Sequence, residues 1–217
     1  MKKLAIPGAF LIIAAIFAFT IDQPISLWFD EPARNSWRLF ALEITDIGKG
    51  EQWFGLSLFV YFGSQLILKY RPQSISRERA SNIKNWSLHF FAALIVSGFF
   101  LQLTKIIFGR QRPHVSITRE ALIFHPFNFN WDFQSFASGH TQTLFCVASL
   151  FVSLWPQKSK WIWLTAGLLA FTRVMALQHF VSDVIGGALL GIYGTQLSFY
   201  LFSRKTPVPQ PLNALKR

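Results

Sequence analysis

Three short segments of this chain carry side chains whose types and spacing suit chemistry on a phosphate group. The first reads Lys105-Ile106-Ile107-Phe108-Gly109-Arg110-Gln111-Arg112-Pro113, and the second Ser135-Phe136-Ala137-Ser138-Gly139-His140. The third joins Thr172-Arg173 to His179 and Asp183. Lys105, Arg112 and Arg173 bring together three cations without enough local carboxylates to neutralise them. A phosphate is their natural counter-charge, because a guanidinium offers paired donors to two of its oxygens at once. Ser138 and Gly139 stand where a helix is expected to begin, so their backbone N–H groups are expected to point, unpaired, toward an anion. Glycine at that point lets the backbone come close to the ligand. Together these groups describe an oxyanion cradle of the kind that stabilises charge developing in phosphoryl transfer. His179 and Asp183 are four residues apart and share one face of a helix. A carboxylate accepting from one ring nitrogen fixes the tautomer and leaves the other free to attack phosphorus. His140 is then available as general acid for the departing alkoxide, and as general base for the water that follows. The scheme needs no metal and no cofactor, since Lys and Arg supply the positive charge.

Such groups have to be held at the ends of regular elements, and the rest of the chain supplies them. Of its 217 residues 52% are hydrophobic and 14% charged, whereas a soluble domain carries about a quarter charged residues. A bilayer core takes about 20 mostly apolar residues per helix. Six runs are read as spans, Leu4–Thr20, Trp53–Leu68, Trp86–Phe108, Thr141–Trp155, Trp161–Leu177 and Phe180–Phe202. The expected fold is therefore all-α, a polytopic membrane protein with six transmembrane helices. Trp53, Trp86, Trp155, Trp161 and Trp163 sit near the run ends, as interfacial residues do. No small-x-small cleavage site follows the first run within Phe17–Pro24, which favours a retained helix over a signal peptide. Helix parity then puts all three segments on one face of the membrane, a coincidence that favours a shared site. With six spans both termini share a side, and 13 of the 21 lysines and arginines fall on it. The positive-inside rule makes that side the cytoplasm. The site is then expected on the outer face of the cytoplasmic (inner) membrane. Asp22–Gln52 is too polar to span and is expected to be an outer loop with a short surface helix around Arg34–Ile44. Residues 1–205 are expected to form a single domain, and 206–217, rich in proline, a disordered cytoplasmic tail. The net charge of +11 lies in short segments between apolar runs. That pattern points to the bilayer and a phosphorylated lipid as partners and away from nucleic acid.

The pattern Lys-x6-Arg-Pro, then Ser-Gly-His, then Arg-x5-His-x3-Asp resembles the type-2 phosphatidic acid phosphatase superfamily. Here it reads Lys105, Arg112 and Pro113; Ser138, Gly139 and His140; Arg173, His179 and Asp183. The resemblance is close over Lys105–Gly187, and the six-helix layout extends it along the chain. It implies a metal-independent membrane lipid phosphatase with His179 as nucleophile, Asp183 as its orienting group and His140 as acid. It also implies phosphate binding by Lys105, Arg112, Ser138, Gly139 and Arg173. The lipids it allows are polyprenyl diphosphate, lipid A 1-phosphate, phosphatidylglycerophosphate and phosphatidic acid. An outward-facing site suits the first two best. Two positions depart from the family pattern. Ala137 stands where the family has proline, which removes some rigidity from the loop, and Thr172 stands where it has serine.

Simpler readings apply to single residues. Arg110 and Arg119 read as snorkelling anchors, His89 and Cys146 as packing, and His114 and His125 as loop residues without a catalytic role. Gly186, Gly187, Gly191 and Gly194 read as sites of close helix packing. The aromatic stretch from Phe124 to Phe136 suits either interfacial anchoring or guidance of a lipid chain. Two other functions use the same residues. A lipid phosphotransferase would pass the phosphoryl group to a second lipid, and a non-catalytic phospholipid-binding protein would need the cations but neither histidine.

Overall fold

Long runs of Leu, Ile, Ala and Phe broken by Gly, Pro and polar clusters specify helices with turns between them. The computed structural model describes residues 2–70 and 77–202. These hold eight α-helices: α1 Lys2–Thr20, α2 Asp22–Asp30, α3 Asn35–Ile44, α4 Gly50–Tyr70, α5 Arg77–Phe108, α6 Gly139–Leu154, α7 Ser159–Met175 and α8 Val181–Phe202. Among the described residues there is no β-strand, only an isolated antiparallel bridge between Arg110 and Phe124. Helices α1 and α4 to α8 lie where the six apolar runs were read. The tail from Thr206 lies outside the described residues.

By length and composition α5 and α8 are each able to cross a membrane. A third span results if the end of α1 and α2, bent by 51° at their junction, act as one; α6 is apolar but shorter. In both long helices only 33% of the most apolar stretch is buried. The remainder presents apolar side chains outward, as Phe59 (76% exposed), Phe62 (60%) and Leu168 (64%) do elsewhere on the bundle. A surface of that kind is stable against hydrocarbon and not against water.

The packing explains the glycines of α8. That helix lies against α1, α5 and α6, and its glycine edge lets backbones meet. A Cβ on Gly194 would stand 2.5 Å from the Cβ of Ser97, and one on Gly186 would stand 2.8 Å from the Phe136 ring. The main core joins Phe90, Ala93 and Leu94 of α5 to Cys146, Val147 and Leu150 of α6. His89 is buried beside Phe199, so it and Cys146 are packed as read.

Two expectations are corrected here. The Asp22–Gln52 segment holds the expected short helix as α3, but is otherwise mostly helical too, with α2 and two 3-10 turns, Pro32–Arg34 and Thr45–Gly48. Helix α2 exists because Ile25 and Phe29, one turn apart, pack on Val174 and Leu177. Helix α5 begins at Arg77, ahead of Trp86, since Arg, Glu, Ala and Lys extend a helix without making it apolar. The arrangement that matters for function is local: the Thr45–Gly48 turn packs on both α6 and α7, at the ends carrying His140 and Arg173.

Candidate active site

Helix α5 ends by a glycine turn that delivers the first cations. Gly109 takes φ 54° and its N–H donates to the Lys105 carbonyl at 2.9 Å. A side chain at Gly109 would collide with the His125 backbone, so only glycine fits this left-handed position. The chain then folds back on itself. Ser135 N–H donates to the Arg110 carbonyl at 2.9 Å, and Arg112 N–H to the Asp132 carbonyl at 2.8 Å. Lys105 Nζ donates to the Gln134 carbonyl at 2.8 Å. Arg112 is 1% exposed; its Nε donates to the Trp131 carbonyl at 3.0 Å and its Nη1 to the Gln178 carbonyl at 3.2 Å. The Trp131 ring lies flat against its guanidinium, 3.9 Å away. Arg173 Nη1 donates to Thr45 Oγ1 at 3.2 Å.

Among the described residues no carboxylate pairs with Lys105, Arg112 or Arg173, although all three are buried. Carbonyl and hydroxyl oxygens solvate these charges but do not cancel them. Burial and the nearby Arg173 pull Arg112 down to about 10. Uncompensated buried cations are costly, and an anion in their midst removes the cost.

The second segment opens α6. Ser138 caps the helix, its Oγ accepting from Thr141 N–H at 3.5 Å and Thr141 Oγ1 at 3.0 Å. One expectation fails at this point: the Ser138 N–H is not free but donates to the Asp183 carbonyl at 3.0 Å. The first-turn amides left without an intrahelical acceptor are those of Gly139 and His140. Ala137, in place of the family proline, is fully buried. The loop is held instead by the Ser138–Asp183 bond and by Phe136 against α8. His140 packs against Gly48, and its Nε2 is buried with no hydrogen-bond partner.

The third segment supplies the dyad. The loop after α7 is turned by Leu177 at φ 55°, and His179 N–H donates to the Arg173 carbonyl at 3.2 Å. His179 Nε2 lies 3.4 Å from Arg112 Nη1. A guanidinium can only donate, so Nε2 is the lone-pair nitrogen and the ring proton belongs on Nδ1. Nδ1 faces Asp183 Oδ2 at 3.6 Å, slightly beyond hydrogen-bond length. Burial, then the charge of Arg112, holds the His179 imidazole well below the ordinary histidine range. The ring is therefore neutral at physiological pH. Asp183 Oδ2 also accepts from Ser135 Oγ at 2.6 Å and from Phe180 N–H at 2.9 Å, the latter capping α8.

Lys105, Arg112, Gly139, His140 and His179 line a single cavity of about 430 Å3, with Trp131 and Gln134 at its side. The same cavity is also lined by the apolar side chains of Phe54, Leu94, Ile95 and Leu101. Arg173, Ser138 and Asp183 stand behind the lining. Among the described residues no group of three or more His, Cys, Asp or Glu is placed to hold a metal.

Sequence reasoning misread two arginines. Arg110 is not an anchor: it is 1% exposed and donates to Asp183 Oδ1 at 2.5 Å and Asp22 Oδ2 at 2.8 Å. Arg119 pairs with both oxygens of Asp30 at 2.8 Å. Asp22 was not singled out at all, while Ser135 and Trp131 were read only as members of a motif segment and of the aromatic stretch, without roles of their own. His114 Nδ1 donates to the Leu177 carbonyl at 3.3 Å, and the His125 ring packs edgewise on Phe133.

Comparison with known proteins adds an independent line. A model of the PAP2 superfamily matches residues 86–207. A lipid A 1-phosphatase of Rhizobium etli is 28% identical over 183 residues, 82% of this chain and 79% of that protein. The crystal structure of LpxE from Aquifex aeolicus is similar with a TM-score of 0.56 at 19% identity, covering 83% of this chain and 96% of that one. That of the PAP2 type phosphatidylglycerolphosphate phosphatase from Bacillus subtilis gives 0.58 at 23%, covering 95% and 98%. At these identities the structural likeness is one of fold.

Proposed function

The chain belongs to the PAP2 superfamily and, with lipid A 1-phosphatases among its relatives, is a membrane lipid phosphatase; we propose that it hydrolyses a lipid phosphomonoester or diphosphate through a phosphohistidine on His179. The observation that carries the reading is the shared cavity. Two cations without a carboxylate partner, a histidine whose Nε2 carries the lone pair and a second histidine line one space together with the apolar side chains of Phe54, Leu94, Ile95 and Leu101. A phosphate on a hydrocarbon tail matches both kinds of lining.

In the first step the Nε2–P bond of His179 forms as the bond from phosphorus to the lipid oxygen breaks. His140 gives its proton to the departing alkoxide, or stabilises a phosphate leaving group if the substrate is a diphosphate. Lys105, Arg112 and Arg173 gather the equatorial oxygens as charge moves onto them, with the amide of Gly139. Ser138 contributes its hydroxyl hydrogen, the donor left to it after capping. His140 then takes a proton from water, whose oxygen attacks phosphorus and releases His179 and inorganic phosphate. Asp183 holds Nδ1–H throughout, and the scheme uses no metal.

In the proposed topology α1 and α4 to α8 cross the cytoplasmic membrane, termini inside and site outside, as one domain. The outward apolar surface and the distribution of lysine and arginine support it. Among the candidate lipids the similarity to lipid A 1-phosphatase favours lipid A 1-phosphate as first choice. The test is phosphate release in detergent from lipid A 1-phosphate, polyprenyl diphosphate, phosphatidylglycerophosphate and phosphatidic acid, with His179→Ala alongside. Release from one lipid that disappears in the variant is the expected result. Release that survives His179→Ala removes the nucleophile, and transfer to an added lipid in place of water makes the protein a phosphotransferase.

A further inference from the structure

A fully buried charge triad lies behind the dyad, and two of its three members, Arg110 and Asp22, are not among the residues that define the family motifs quoted above. Arg110, Asp22 and Asp183 are each no more than 1% exposed. Arg110 Nη1 donates to Asp183 Oδ1 at 2.5 Å and to Ser182 Oγ at 2.6 Å, its Nη2 to Asp22 Oδ2 at 2.8 Å, and its Nε to the Ala121 carbonyl at 2.9 Å. Asp22 in turn accepts from the Ser182 N–H at 3.0 Å and from the Ser182 hydroxyl. The bend between α1 and α2 is what brings Asp22 inward, onto the first turn of α8.

We propose that Arg110 and Asp22 are positioning residues that fix Asp183, and through it the His179 ring, in the attacking orientation. The geometry assigns each oxygen of Asp183 one task. Arg110 holds Oδ1, while Ser135 and the Phe180 amide hold Oδ2 toward His179 Nδ1. Three hydrogen bonds, one to Oδ1 and two to Oδ2, restrain the carboxylate from rotating. The charge count explains Asp22. Arg110 alone would neutralise Asp183 and leave nothing to face the positive charge that spreads over the ring when Nε2 bonds to phosphorus. Two carboxylates around one guanidinium keep one net negative charge behind the imidazole, while the planar guanidinium, giving one Nη to each carboxylate, fixes where it sits. Because a buried ion pair is weak evidence for stability, a triad that costs this much desolvation is better explained by orientation. The same contacts tie the N-terminal helices to the reacting ring, although Asp22 and Ser182 are 160 residues apart.

The inference rests on His179 as nucleophile and Asp183 as its orienting group, so the experiment separates the two. Phosphate release from p-nitrophenyl phosphate, which does not depend on lipid class, is measured in detergent for Asp22→Asn, Arg110→Lys, Asp183→Asn, His179→Ala and the two pairs with Asp183→Asn. Thermal unfolding is measured on each. Asp22→Asn and Arg110→Lys are expected to lower kcat on the order of 10–100-fold, as loss of a group that orients a reacting side chain does, with KM little changed. In the Asp183→Asn background neither should cost anything more, because both act through that carboxylate. Losses that add fully in that background, losses confined to KM, or full activity in both folded variants overturn the proposal. Should Asp22→Asn fail to fold, Arg110→Lys, which keeps the buried charge, carries the cycle. Unfolding of both makes the triad a structural tie and overturns it equally. Activity that survives His179→Ala refutes the underlying reading of the nucleophile instead.

Discussion

Replacing Gly191 with alanine puts a methyl group into the contact between α8 and α6. A Cβ there stands 2.5 Å from the Gln142 carbonyl oxygen, 2.8 Å from the Cys146 nitrogen and 2.9 Å from Phe145 Cβ. The first two are backbone atoms and cannot rotate aside. Ordinary contact begins at 3.4 Å, so α6 has to retreat by 3.4 − 2.5 = 0.9 Å at this point. Overpacking of that kind costs about 1–3 kcal/mol of stability. The consequence for chemistry is larger. His140 rides on α6 two residues before Gln142, whereas Asp183 is carried by α8 and His179 directly precedes that helix. His140 therefore moves away from His179 by a comparable distance. A misplacement of about 1 Å can cost roughly 100-fold, equivalent to about 2.7 kcal/mol of barrier. The assay is kcat for phosphate release at matched folded fraction, beside Gly63→Ala in α4 and Gly167→Ala in α7. Neither control glycine has an atom within 4 Å of its added Cβ, and each gains roughly 0.5–1 kcal/mol of helix preference. Full activity in Gly191→Ala, or an equal loss in the controls, refutes the reasoning.

The remaining expectations concern the charges. Burial and Arg112 lower His179, and a nucleophile must be unprotonated, so the acidic limb of kcat/KM should lie below the ordinary histidine value of about 6.5. Arg112→Gln removes a cation that disfavours the imidazolium, so the limb should move to higher pH; Arg173 and Asp183 still face the ring, and an unmoved limb contradicts the assignment. Arg173→Lys keeps the charge but loses the fork, and a lost charged hydrogen bond of about 1.5–3 kcal/mol predicts a fall in kcat/KM of roughly 10–100-fold. A silent substitution would leave Arg173 without a role in phosphate binding. Dialysis against EDTA should leave the rate unchanged, and inhibition reversed by a divalent metal would overturn the metal-independent scheme.

What the sequence made legible was local. Lys105, Arg112, His140, His179 and Asp183 sit at or beside helix ends set by composition, and each acts within a few residues of a motif neighbour. Arg110 and Arg119 were misread because their carboxylates, Asp22 and Asp30, lie 88 and 89 residues away. No spacing rule reaches that far. Ser138 illustrates the same limit: its amide belongs to a helix start, but its acceptor is the Asp183 carbonyl of another helix. Helix α2 escaped notice because nine residues with a proline near the start show too little period to compete with a polar-loop reading. The glycines of α8, in contrast, were read correctly, since small residues along an apolar helix have few other uses.

The account stands most directly on a covalent enzyme intermediate. The stereochemical course at phosphorus tests it, using a chiral, isotopically labelled phosphorothioate of whichever panel lipid the wild type hydrolyses. Attack by His179 followed by attack of water inverts the centre twice, so the account requires net retention. Net inversion means that water displaces the lipid directly, and would remove the phosphohistidine and with it the role assigned to His179.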